Sequence, residues 1–156
     1  MSPVKAYLDI ETSFSGEITT VGIYHETGRL VQLVGDEVTP HNLISSLETV
    51  STIVTYNGSR FDLPVIKNRL GTDLKKGFHS SDLMYECWKK NLYGGLKKVE
   101  EQLGINRDSQ GIDGWEAMRL WERYRKNHDL KALKTLLDYN RDDVINLSIL
   151  EEKLSP

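Results

Sequence analysis

The stretch Tyr7-Leu-Asp-Ile-Glu-Thr-Ser13 places two carboxylates inside what otherwise reads as the first strand of a sheet. Residues two apart on a strand point to the same side. Asp9 and Glu11 therefore share a face, with their backbones roughly 7 Å apart, and Leu8 and Ile10 take the other. Two like charges on a core face would be very costly to bury. Any fold built on this strand must leave that face open to water or bring something positive over it. Hard carboxylate oxygens aimed at one point among apolar neighbours suit Mg²⁺ or Mn²⁺. A solvated strand face is the alternative, and the rest of the chain decides between the two.

Strand one spans Val4 to Ser13, and the polar Gly16 segment after it is a turn. Ile18 to His25 and Leu30 to Val34 follow as strands with short connections, which makes an antiparallel meander. Thr39 can cap a helix with Pro40 at its first position, and Leu43, Ile44 and Leu47 recur at helical spacing. Thr52 to Tyr56 is the fourth strand, so strand, helix and strand imply a crossover into parallel pairing. Phe61 to Leu70 is a helix with Pro64 in its first turn and Gly71 at its end. Gly77 to Leu83 is a fifth, edge strand. Gly94-Gly95 breaks the chain before a helix carrying Leu96, Val99, Glu100 and Leu103. Trp115 to Arg125 is another helix, in which Trp115, Trp121 and Tyr124 read as packing residues. A last helix runs from about Asp129 to Lys153, with a bend expected near Tyr139-Asn140.

At 156 residues the chain fits one domain, residues 1–156. Its 20 Lys and Arg against 23 Asp and Glu give a net charge of -3, which argues against non-specific coating of nucleic acid or of an anionic membrane. A local basic rim around an acidic centre is compatible with that balance. Cys87 is the only cysteine, which excludes an internal disulfide or a cysteine-rich zinc site. No run approaches the length of a membrane span and no signal-like segment opens the chain. The expectation is a soluble, cytoplasmic protein.

Two further acids lie where acids need a reason to be. Asp62 begins a helix straight after strand four, where a helix dipole favours it in any case. Asp143 sits in the final helix one turn after Tyr139, on the same helix face. Together with Asp9 and Glu11 they mark strand ends and one packed helix, where a metal-binding cleft can form.

The order of these motifs resembles the ribonuclease H-like superfamily and, within it, the tyrosine branch of the DEDD-type 3′–5′ exonucleases, the proofreading-exonuclease-like group. The D-x-E motif is matched by Asp9 and Glu11. The N-x-x-x-F-D motif is matched by Asn57-Gly-Ser-Arg-Phe61-Asp62, and Y-x-x-x-D by Tyr139-Asn-Arg-Asp-Asp143. Other members place a histidine five residues before the last aspartate, where this chain has Asp138. The resemblance covers residues 4 to about 150. It implies an α/β fold with a mixed five-stranded sheet, its first three strands antiparallel, flanked by helices.

By that resemblance Asp9, Glu11, Asp62 and Asp143 would hold two Mg²⁺ or Mn²⁺ ions and Tyr139 would orient the attacking water. The substrate would be DNA or RNA with a free 3′ end. Asn57 and Phe61 match positions that hold terminal nucleotides, and Thr12 and Ser13 adjoin the acids. Arg60 is a candidate phosphate contact. Lys97-Lys98, opening a helix after two glycines, suits a backbone track. Two other readings stay open: a structure-specific or hybrid-cleaving endonuclease of the same superfamily, and a catalytically inactive nucleic-acid-binding module.

Overall fold

A computed structural model describes residues 4–109 and 111–156. Alternating apolar residues build β1 (Val4–Thr12), which lies at the centre of a five-stranded sheet of order β3-β2-β1-β4-β5. Its antiparallel neighbour is β2 (Ile18–His25), which pairs in turn with β3 (Leu30–Val34). On its other side β4 (Val50–Thr55) runs parallel, as does the edge strand β5 (His79–Asp82) beside β4. This is the mixed sheet with an antiparallel first half expected from the sequence. β1 ends at Thr12 and β4 starts two residues earlier than expected, a drift usual at strand ends.

Between β3 and β4 lies α1 (Pro40–Ser46), capped by the Thr39 hydroxyl, which accepts from the Asn42 amide at 3.1 Å. α2 (Asp62–Leu70) ends on Gly71 in the left-handed conformation. The short α3 (Leu74–Gly77), absent from the sequence reading, precedes β5, and α4 (Leu83–Lys89) follows it. α5 (Leu96–Leu103), α6 (Gly114–Asn127) and α7 (Leu130–Leu154) complete the chain. α7 runs as one 25-residue helix through Tyr139-Asn140, where a bend was expected.

The period-2 pattern of β1 divides the core. Ala6, Leu8 and Ile10 pack with Val21, Ile23 and Ile53 against α1, α2 and α3. Tyr7 and Val54 face the other way, against Leu83 and Cys87 of α4, Val99 of α5, and Val144, Leu147 and Leu150 of α7. Asp9 and Glu11 share the Tyr7 face, so β1 aims its acids at the layer that contains α7. α6 packs on α7 through Ala117, Leu120, Ala132 and Leu136, in the cluster that includes Tyr139. Among the described residues no helix is long and apolar enough to cross a membrane.

Candidate active site

Asp9, Glu11 and Asp143 each bring a carboxylate oxygen within 4.8 Å of the others. Glu11 and Asp143 are buried, and Asp9 is the more open member. Three carboxylates this close repel one another. Burial first, then the charges of Asp143 and Glu11, lift the Asp9 carboxyl well above its usual range. Burial, then Asp143, pushes Glu11 up to about 8, opposed by a hydrogen bond from Asn140.

Asp62 stands beside this trio, outside the 4.8 Å group. Pairing of β1 with β4 stops at Tyr7–Val54, so the amide of Ile10 has no strand partner on that side. The Asp62 carboxylate accepts it at 2.9 Å, from the first turn of α2. Burial raises Asp62 to about 7 against the lowering effect of that bond.

Tyr139 lies one turn before Asp143 on α7, and its hydroxyl accepts a hydrogen bond from Lys97 Nζ at 2.8 Å. Burial, followed by the Asp143 charge, moves the phenol above its ordinary value. Burial likewise lowers the Lys97 ammonium. A cleft of about 210 Å³ is lined by Asp9, Tyr56, Lys97, Arg107, Tyr139 and Asp143. The Tyr56 hydroxyl donates to the carbonyl of Gly94 at 2.6 Å, which fixes the segment that carries Lys97 into this cleft.

The remaining sequence candidates divide. Lys97 is in the cleft, whereas its neighbour Lys98 is exposed on α5. Thr12 closes β1, and the Ser13 hydroxyl is spent in the following turn, accepting from the Glu17 amide at 3.2 Å. Asn57 adopts φ 61° and its backbone N–H donates to Asp82 at 2.8 Å. Asp82 also accepts from Ser59, so it holds the loop that leads into Asp62. Phe61 is 42% exposed at the start of α2. Arg60 lies over the rings of Tyr85 and Trp88, at 5.6 and 5.5 Å.

Two side chains that the sequence motifs do not pick out, Asn140 and Arg107, hold the acids, and a buried Glu100 supports Arg107. Asn140, fully buried on α7, donates from Nδ2 to Glu11 at 3.2 Å and to the Asp9 carboxylate at 3.4 Å. Its Oδ1 accepts from Gln32 Nε2 at 3.1 Å. Asn140 reaches the acids across Gly22, the residue paired with Asp9. A Cβ at Gly22 would overlap Asn140 Oδ1 and stand 2.9 Å from its Cγ.

Arg107, in the loop after α5, bonds to Asp143 and to both oxygens of Glu100. Burial works against its charge, but the bonds to Glu100 and Asp143 outweigh that and hold the guanidinium protonated. Glu100 is buried and also accepts from Asn146 at 3.1 Å, so Arg107 has a fixed base to lean on. Glu100 lies on the apolar stripe of its helix and Asn140 on that of α7. An acid and an amide among leucines were the readable signals. Arg107 lies in a polar loop with no periodicity, so pattern gave no hint of it.

A mixed five-stranded sheet whose central strand offers two acids to an aspartate on the last helix is the architecture of ribonuclease H-like proteins. The chain belongs to the RNase_H superfamily, whose family model matches residues 6–155. It is 31% identical over 125 residues to the uncharacterized protein YprB of Bacillus subtilis (strain 168), a match covering 72% of this chain and 30% of YprB. Its fold is also that of part of the family B DNA polymerase from the hyperthermophilic archaeon Pyrobaculum calidifontis, with TM-score 0.75 and 20% identity. That match covers 99% of this chain and 25% of the polymerase chain. The chain thus spans under a third of either relative. Superfamily membership supports nuclease chemistry, and the acidic cluster is one that could bind metal.

Proposed function

We propose that residues 1–156 act as one metal-dependent 3′–5′ exonuclease domain, hydrolysing phosphodiester bonds of DNA or RNA from a free 3′ end. The observation that carries this reading is the convergence of Asp9, Glu11 and Asp143, with Asp9 and Asp143 lining one cleft together with Tyr139, one helical turn before Asp143. Hard oxygen donors gathered at this separation fit Mg²⁺ or Mn²⁺, and Asp9, Glu11, Asp62 and Asp143 would hold two such ions. When bound, they supply an acidified water and neutralise charge on the phosphate.

The protein's own groups orient and restrain. Tyr139 accepts from Lys97, which leaves its own proton free to be donated to a water or a phosphate oxygen. A phenol raised above its ordinary value stays protonated at neutral pH, so Tyr139 positions the nucleophile and does not deprotonate it. Lys97 presents a cation on the cleft wall for the phosphate. Asn140 holds Asp9 and Glu11 in register, and Arg107 holds Asp143. Asn57, Phe61, Thr12, Arg60 and Lys98 would contact the terminal nucleotides or the backbone leading to them, while Ser13, its hydroxyl used in the turn after β1, would shape that turn.

The test is digestion of 5′-labelled single- and double-stranded DNA and RNA with Mg²⁺ or Mn²⁺. The expected product is a ladder shortening from the 3′ end, lost in Asp9→Ala and Asp143→Ala proteins. A single internal cut, binding without cleavage, or full activity in those variants would overturn the reading.

A further inference from the structure

Phe14 and Trp115 are 51% and 57% exposed, and their rings meet edge-to-face with centroids 6.3 Å apart. Helical spacing predicts a packing role for Trp115. It stands at the start of α6 instead, beyond the point where Ala117 and Leu120 engage α7. Arg119 lies over its ring at 5.1 Å. Arg119, Arg123 and Lys126 follow Trp115 at spacings of three and four, on one helix face. With Phe14 and Glu122 they line a groove of about 380 Å³. Three cations and one acid line it, and two further acids just outside, Glu116 and Asp129, pair with Arg119 and Arg123.

The ion pairs of these cations do not commit them. Arg119–Glu116 at 3.5 Å, Arg123–Asp129 at 3.1 Å and Lys126–Glu122 at 3.7 Å are all on the surface, with cationic side chains at least half exposed. Such pairs contribute little and can exchange for a phosphate. Exposed aromatic faces flanked by arginine and lysine are what non-specific binders of single strands use: bases stack on the rings and the cations follow the backbone. A protein partner would find a mostly charged rim and only two large apolar side chains.

The groove also begins where the acids end. Phe14 follows Glu11 by three residues, at most about 10 Å along the chain, and α6 packs against β1. From Trp115 to Lys126 the helix rises about 16 Å, room for up to about five nucleotides at stacked spacing.

From these observations we infer that the Phe14–Trp115 pair and the Arg119, Arg123 and Lys126 face of α6 form a track for single-stranded nucleic acid. It holds the nucleotides upstream of the end seated at the acid cluster. The inference rests on the nuclease reading for its direction, but its test does not need cleavage. Fluorescence anisotropy of labelled dT12, with EDTA present, gives the affinity of the intact chain and of Trp115→Ala and Arg119→Glu/Arg123→Glu proteins. Both variants change exposed side chains, and circular dichroism checks their fold.

The expected result is binding weakened at least 10-fold in each variant. In Mn²⁺, KM for dT12 should rise by a similar factor while kcat at saturation and hydrolysis of the dinucleotide dTpdT stay within about 3-fold. Variant affinities equal to the unaltered protein would overturn the track, as would failure of the unaltered protein to bind dT12. So would a change confined to self-association on gel filtration, which would make the groove a protein interface. A 3′-shortening ladder with unchanged variant binding refutes the track alone. Track-dependent binding without any cleavage refutes the exonuclease alone.

Discussion

Replacing Gly22 by alanine tests whether Asn140 is the clamp on the acid pair. Gly22 sits mid-strand in β2 with no positive φ, so its backbone accepts any residue. On propensity alone Gly22→Ala should stabilise the strand by about 0.5–1 kcal/mol. The added methyl, however, would occupy the place of the Asn140 amide. Asn140 is fully buried and cannot swing to solvent. Overpacking costs about 1–3 kcal/mol, and leaving the buried amide and the carboxyls it bonds without partners costs about 1–3 kcal/mol. The net expectation is a loss of about 1–5.5 kcal/mol. In an Asn140→Ala background both terms vanish, and the same methyl should cost nothing or stabilise slightly. Urea unfolding of the four proteins in EDTA, followed by circular dichroism, gives a coupling energy of at least about 2 kcal/mol if the clamp is real. Additivity within about 0.5 kcal/mol would refute it.

The pH dependence of metal-free stability has a definite sign. Glu11 at about 8 and Asp62 at about 7 hold protons in the folded state that the unfolded chain releases near pH 4. Stability should therefore fall by several kcal/mol as pH rises from about 4.5 to 8, and urea melts showing a gain over that range would contradict the site's electrostatics. Millimolar Mn²⁺ at pH 7.5 should raise the melting temperature by binding the folded state alone, whereas an unmoved melt would argue against a metal centre. Arg107→Met leaves Glu100 and Asp143 buried without their counter-ion and should cost about 3–5 kcal/mol in EDTA, read by the same denaturation; a loss below about 1 kcal/mol would show that Arg107 is dispensable. Tyr139→Phe should keep the fold and lower single-turnover cleavage at least 10-fold, and full activity would remove the phenol from the reaction.

The fold was legible because its signals are local and repeated. β1 alternates, β2 and β3 are short β-branched and apolar runs bounded by turns, Thr39-Pro40 opens α1 and Gly71 closes α2, and each such signal acts within a few residues. Even the parallel pairing of β1 with β4 follows from the helix between them. The acids were legible for a different reason: charge on an apolar face is costly, so Asp9, Glu11 and Asp143 stand out wherever they occur. What stayed hidden is what holds them. Asn140 and Asp9 are 131 residues apart and meet only through the absence of a side chain at Gly22. Arg107 comes from a loop whose path no propensity dictates, and its partner Asp143 lies 36 residues on. Trp115 is exposed although its spacing suits packing, because helical spacing identifies a face without saying whether anything covers it.

The distance in sequence between β1 and α7 also sets an order of events at the ribosome. The strands of the meander are made first, with Asp9 and Glu11 already in place on β1. Asn140 is synthesised 131 residues after Asp9, roughly 7–26 s later at ordinary elongation rates. Until then the two acids have no amide to restrain them and no Asp143 to complete the cluster. A nascent chain therefore carries half of its acid cluster, unrestrained, until nearly all of α7 has been made.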